Sequence, residues 1–220
     1  MRARYDGLAE WYDERFVVGA PEHQPGMLEL LGRGSGPCLD IGCGTGRNFD
    51  TIRASGRTPV GLDFSIDQLG RARLRTDGPL LHGDATALPF ADESFDTAIS
   101  MWISTDVEDF AAVVREATRV LRPSGVLVVY GVHPCFNGPH MFFNEDGSRL
   151  VHPTYRRPGW HDESPYWAAD GIRRRVGMHH VPLADFLNAF LTRPLTIERF
   201  EEPEGPDVPH ALAVRARRPA

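Results

Sequence analysis

Two acidic side chains and a run of alternating glycines carry the clearest chemistry in this chain. Asp40 sits in the apolar run Pro37 to Ile41, and Gly42, Gly44 and Gly46 follow it in alternation. Such a turn is tight enough for backbone, not side chains, to face a ligand. A carboxylate just ahead of it suits a cofactor that presents cationic groups. Asp63 ends a second apolar run, Thr58 to Asp63. It lies about twenty residues beyond the glycines, where an acidic side chain can accept two hydrogen bonds from a ribose diol. The dinucleotide fingerprint needs a further glycine where Arg47 stands, and a phosphate loop needs Gly-Lys-Ser or Gly-Lys-Thr, which is absent. A glycine-rich turn from some other nucleotide-binding α/β protein is the plain alternative.

The run Asp40-Ile41-Gly42-Cys43-Gly44-Thr45-Gly46 resembles the first motif, D-x-G-C-G-T-G, of the class I S-adenosylmethionine-dependent methyltransferases. The likeness continues through Asp63-Phe64-Ser65, His82 to Phe90, Ser94 to Ser100, and Arg115 to Gly125, covering residues 38 to 133. It implies S-adenosyl-L-methionine as cofactor. It places Asp84 at the adenine amino group, with the next backbone N–H, that of Ala85, at a ring nitrogen. It also sets Phe64, Gln68, Ser100 and Met101 along the cofactor. Tyr5-Asp6 and Tyr12-Asp13 look like the family's N-terminal helix that closes over the site. Tyr5 and Tyr12 could offer ring faces to a sulfonium, a contact of about 0.5–2 kcal/mol, or could simply pack the helix down.

An oxygen or nitrogen acceptor usually loses a proton on methylation, which calls for a base near neutral pKa. His133, at the end of the fifth expected strand, is the first candidate. His140, His152, His161, His179 and His180 cluster nearby in sequence, at spacings that match no short metal-ligand motif. Asp106 stands where related enzymes often carry a His-His pair. It could be a base or could cap the next helix, and the cap is preferred. Ser124 replaces the usual first glycine of Pro-Gly-Gly.

These side chains need a sheet to bring them together. Strands near 37–41, 58–63, 79–82, 95–101 and 125–132 alternate with helices near 46–55, 65–75 and 107–121. Alternation of this kind implies right-handed crossovers and a parallel sheet covered on both faces. The expected fold is α/β, Rossmann-like and doubly wound, and the resemblance makes it seven-stranded with the last strand antiparallel. Residues 1–36 form an N-terminal helical cap, with Tyr5, Leu8, Ala9, Tyr12 and Phe16 on one helix face and a second helix over 22–31. Residues 37–133 form the cofactor core. Residues 181–220 add a helix near 181–192 and strands near 195–200 and 210–216, all within one domain. Residues 134–180 are loop-rich, with aromatics, prolines and histidines but no lasting periodicity. Placed after strand five, this insert is expected to be a substrate lid; an oligomer loop, and hence a homodimer, is the alternative.

The 220 residues suit one domain, and a formal charge of −6 opposes a general affinity for nucleic acid. Arg173-Arg174-Arg175 reads as a solvated loop in preference to an anion site. Three cysteines make no disulfide framework, and no apolar run spans a bilayer. A cytoplasmic location and a small, apolar or aromatic methyl acceptor are therefore expected, with neither nucleic acid nor membrane as partner. The alternatives are a cofactor-binding regulator without transferase activity and a nucleic-acid or protein methylase. The latter lacks the basic groove it would need.

Overall fold

A computed structural model describes residues 3–21, 23–24 and 26–220. Its centre is a seven-stranded sheet in the order β10-β11-β5-β4-β1-β2-β3. The strands are β1 (Pro37–Ile41), β2 (Thr58–Asp63), β3 (Leu80–His82), β4 (Phe95–Met101), β5 (Leu121–Val132), β10 (Thr196–Glu201) and β11 (Ala211–Arg217). All run parallel except β11, which is antiparallel to both β5 and β10. β1 lies between β2 and β4, so the chain reverses its direction of travel there, and ligands of open α/β sheets dock at that switch point.

The central strands are buried on both faces, as their apolar runs require. One core sets Leu39, Leu62 and Val129 against α5 (Phe110–Val120) and α7 (Leu183–Leu191). The other sets Ile99, Val128 and Tyr130 against α2 (Met27–Leu31), α3 (Phe49–Ala54) and α4 (Ile66–Ala72). The first helix, α1 (Ala9–Phe16), packs on α4.

Several boundaries differ from the sequence expectation. α2 begins only at Met27, after Gly26 in the left-handed region at φ 71°; residue 22 lies outside the described residues. Tyr5 lies in a turn ahead of α1, and residues 1 and 2 are outside the description. α5 starts at Phe110 because Asp109 caps it, its side chain accepting from Ala112 N at 2.8 Å. The cap expected at Asp106 is thus corrected: Asp106 closes a 3₁₀ turn over Ile103–Thr105. β5 starts at Leu121, and Ser124 takes φ 66°, a conformation glycine adopts at less cost.

The insert is more ordered than a loop. It holds a β6–β7 ladder (Met141–Phe143, Arg149–Val151), a β8–β9 ladder (Gly159–His161, Met178–His180) and a short helix, α6 (Ile172–Val176). Elements of three to five residues are too short for either periodicity to show in sequence.

Candidate active site

β1 delivers Asp40 to the sheet edge fully buried. Asn48 Nδ2 gives Oδ2 one long hydrogen bond of 3.5 Å, and Oδ1 has no partner among the described residues. Burial pushes this carboxyl up to about 7, the Asn48 contact opposes the rise, and neighbouring Asp63 adds to it. A buried carboxylate oxygen without a partner is rare and costly. An ammonium group would complete it.

The glycine turn is set by backbone geometry. The N–H groups of Gly42 and Cys43 both donate to Leu62 O, at 2.8 and 2.9 Å. Gly46, at φ 81°, presses on Phe49 so closely that a Cβ would lie 2.6 Å from the ring. Asp63 grips the same turn: Oδ2 accepts from Gly44 N and Oδ1 from Ser65 N, each at 2.8 Å. Burial raises the Asp63 pKa against these two hydrogen bonds. Each oxygen keeps a second lone pair, so a diol can be received while the turn stays held. Ser65 caps α4 by accepting from Gln68 N at 3.3 Å. Among the described residues neither Oε1 nor Nε2 of the buried Gln68 amide has a partner, and Thr45 Oγ1 is likewise unmet.

Further along the edge, Asp84 is exposed and uses Oδ1 to hold Thr86 N and Oγ1, at 2.8 and 2.7 Å; Ala85 is buried. Phe64 is half-exposed, its ring 5.9 Å from that of His82. Ser100 Oγ donates to Ile41 O at 3.1 Å and Met101 packs in the core, so both hold β4 against β1.

The N-terminal segment roofs this edge. Tyr5 Oη donates to Asp106 Oδ1 at 3.0 Å, and Arg173 Nη1 donates to the same oxygen at 2.6 Å. Arg173 Nη2 reaches Thr105 Oγ1 at 2.7 Å. Ser65 Oγ donates to Asp6 Oδ1 at 2.7 Å, and Arg75 pairs with Asp13 at 2.8 Å. Tyr12 meets Tyr5 edge to face at 5.7 Å, and burial raises both phenol pKa values.

Comparisons with known proteins agree with this geometry. The family described as "Methyltransferase domain" matches residues 39–129. A demethylmenaquinone methyltransferase of Renibacterium salmoninarum is 34% identical over 190 residues, covering 79% of this chain and 76% of that protein. A crystal structure of an S-adenosylmethionine dependent methyltransferase from Mesorhizobium loti superposes with a TM-score of 0.75 at 28% identity, covering 92% of this chain and 100% of that one. The chain belongs to the class I S-adenosylmethionine-dependent methyltransferases. A demethylmenaquinone methyltransferase of a Mycobacterium species is 45% identical over 100 residues, where the chain spans 43% of that relative's length. The methyltransferase cofactor fits the residues present. Asp40 Oδ1 can take its ammonium group, Asp63 its ribose hydroxyls, and the Gln68 amide and the glycine turn supply unmet polar contacts between them.

Two residues of this chain that its sequence offers as candidate bases are engaged elsewhere. His133 is buried; Cys135 N donates to its Nδ1 at 3.1 Å, and Nε2 lies 3.0 Å from Glu202 Oε1. Asp106 holds Tyr5 and Arg173. The insert histidines pack instead of gathering around a metal. His140 Nε2 meets Cys135 O at 3.2 Å, His180 Nε2 meets Tyr155 O at 2.7 Å, and their rings are 4.7 Å apart. Burial lowers both pKa values, that of His180 to about 4. His179 is depressed by burial too, while His152 and His161 bond Thr154 Oγ1 and Arg157 O. Among the described residues no group of three or more His, Cys, Asp or Glu side chains could hold a metal ion. No described helix is long and apolar enough to cross a membrane.

Sequence reasoning missed Asn48 and the pairing of Arg173 with Asp106. Arg173 is corrected from a solvated loop residue to the largely buried partner of Asp106. Against the cost of burial, the Asp106 charge raises its pKa. The signal available was a lone carboxylate after β4 that lacked a cap to fill.

Proposed function

We propose that this methyltransferase carries a methyl group from S-adenosylmethionine to a small acceptor with an apolar or aromatic body. One observation carries the reading: at the switch point, Asp40 Oδ1 and the Gln68 amide are buried without partners among the described residues, beside a glycine turn held by Asp63. The cofactor supplies a methyl group activated on a sulfonium. The chain's own task is to hold the acceptor within about 3–3.5 Å of that carbon and in line, worth about 7–11 kcal/mol when done well. Tyr5, Tyr12 and the insert exclude competing water. The names of the relatives, demethylmenaquinone methyltransferases, support a quinone-like acceptor within this class.

A second reading, a cofactor-binding regulator without transferase activity, is favoured by the engagement of both His133 and Asp106. Incubation with isotopically labelled donor and a panel of hydroquinones, phenols, amines and RNA separates them. Labelled small aromatic product is the expected result. Tight cofactor binding with no product from any acceptor supports the regulator, and preferential labelling of RNA contradicts the acceptor class.

A further inference from the structure

Polar contacts, not a core, hold the N-terminal helix in place: of its eight residues α1 buries only Ala9 and Asp13. On one side those contacts reach the two turns that bracket the cofactor cleft. Arg75 joins Asp13 to the glycine turn, with Nη2 2.9 Å from Asp13 Oδ2 and Nη1 donating to Thr45 O at 2.9 Å. Ser65 joins the cap to Asp63, whose Oδ1 accepts from its N–H while its hydroxyl donates to Asp6 Oδ1. Gly7 N donates to Asp67 Oδ2 at 2.6 Å, and Arg71 pairs with Glu10 at 2.6 Å. Thr45 Oγ1 and the Gln68 amide, buried and unpartnered among the described residues, belong to the same two segments.

On its other side the same segment meets the insert. Arg4 lies over the Trp160 ring, Cζ 3.7 Å from its centre, and Nη1 is 3.5 Å from Asp162 Oδ1. Trp160 Nε1 donates to that same Asp162 oxygen at 2.8 Å. Arg175 lies over the Trp11 ring at 4.3 Å, and Arg15 pairs with Asp170 at 3.2 Å. Tyr5 reaches Arg173 through the Asp106 oxygen they share. Trp160 stands in β8 opposite His179 of β9, and α6 runs into β9 through Gly177, so the seam grips one connected unit. Most of these charges are partly exposed. Each contact alone is weak and screened by salt, and they act as a set.

We propose that the cap is a relay: cofactor bound at the two turns fastens the cap, and the cap fastens the insert over the acceptor. Arg4, Trp11, Arg15 and Arg75 are then positioning residues, and none of them needs to touch either reactant. This rests on the transferase reading above and adds an order of events, cofactor before acceptor. The physical basis is linkage. A ligand that fixes the segments holding Thr45 and Ser65 lowers the ordering cost of whatever is tied to them, first the cap and then the insert. Coupling of this kind between two sites is typically about 5–150-fold in affinity.

Amide hydrogen exchange of the whole chain, with and without saturating S-adenosylhomocysteine, reads both ends of the relay. In wild type the ligand should slow exchange about fivefold or more in residues 3–16 and again in residues 159–180. Arg4→Ala/Trp11→Leu/Arg15→Ala cuts the direct seam contacts from the cap side. It should keep the effect in 3–16 and reduce it to about twofold or less in 159–180. Asp162→Asn/Asp170→Asn/Arg175→Ala cuts the seam from the insert at exposed positions and should lose at least half of the insert effect. That second variant decides the matter where the first fails to fold. Arg75→Gln, which frees the glycine turn from the cap, should lessen the effect at both ends, and unchanged effects overturn the proposal. So does a bound ligand that slows exchange in the cap alone, which leaves the transferase reading intact. Insert protection that survives both seam variants also overturns it, by assigning that protection to direct contact with the cofactor. If wild type binds no S-adenosylhomocysteine, the transferase reading itself falls.

Discussion

Tyr5 and Asp106, 101 residues apart in sequence, share a hydrogen bond of 3.0 Å, and Arg173 closes on the same carboxylate oxygen. One oxygen thus ties together the N-terminal cap, the turn after β4 and the insert. We infer that those three segments close together over the carboxyl edge of the sheet through this contact.

Breaking that contact should open the cover. Tyr5→Phe should cost about 1 kcal/mol, the worth of one hydrogen bond, and speed amide exchange in residues 3–16. Arg173→Ala leaves Asp106 largely buried without its cation. It should cost more, about 2–4 kcal/mol, a figure discounted from a fully buried pair because both side chains are partly exposed. Urea unfolding compares the two variants. Equal or negligible costs would deny the shared closure.

Asp63→Ala should weaken cofactor affinity by about 1.5–3 kcal/mol through loss of a charged acceptor. It should also loosen the turn, since Gly44 N and Ser65 N lose their acceptor. Calorimetry measures the first effect and amide exchange at Gly44 the second. Unchanged affinity removes Asp63 from the site.

Gly46→Ala should destabilise the fold by about 1–3 kcal/mol through overpacking against Phe49 in a left-handed backbone. Gly70→Ala, in α4 with open space around its Cβ, is the control and should stabilise or leave stability unchanged. Chemical denaturation of the pair checks this, and a neutral Gly46→Ala refutes the tight turn.

The insert should loosen in acid. His180 is held below its ordinary value of 6.5, at about 4, by burial. A folded pKa depressed below the unfolded one gives stability that is complete above pH 6.5 and is lost as pH falls through about 4. Amide exchange in the β8–β9 ladder should therefore accelerate over that window, and His180→Phe should blunt the change. An insert equally protected across the window contradicts it.

The parts of this molecule legible in sequence are those fixed locally. Apolar runs ending at Asp40 and Asp63, with glycines at 42, 44 and 46, announce strand, edge and turn within a few residues of chain. The pairings that complete the site are not local. Asp106 finds Arg173 67 residues later and Tyr5 101 residues earlier. The position of Asp106 suggested a cap, whereas Asp109, three residues on, won that role because its side chain reaches Ala112 N. In the insert, strands of three residues follow tertiary packing, which no periodicity announces.

Asp40 and its neighbours should receive the ammonium group of the nucleoside cofactor. Calorimetric titration of S-adenosylhomocysteine at about pH 6 and about pH 7.5, on wild type and Asp40→Asn, measures this. Burial sets the Asp40 pKa near 7, and an ammonium group binds only its ionised form. Wild type should bind one equivalent roughly tenfold more tightly at the higher pH, releasing a proton at the lower one, and Asp40→Asn should bind weakly with little pH dependence. No binding, or affinity independent of both pH and Asp40, would rule out Asp40 as the acceptor of that ammonium group.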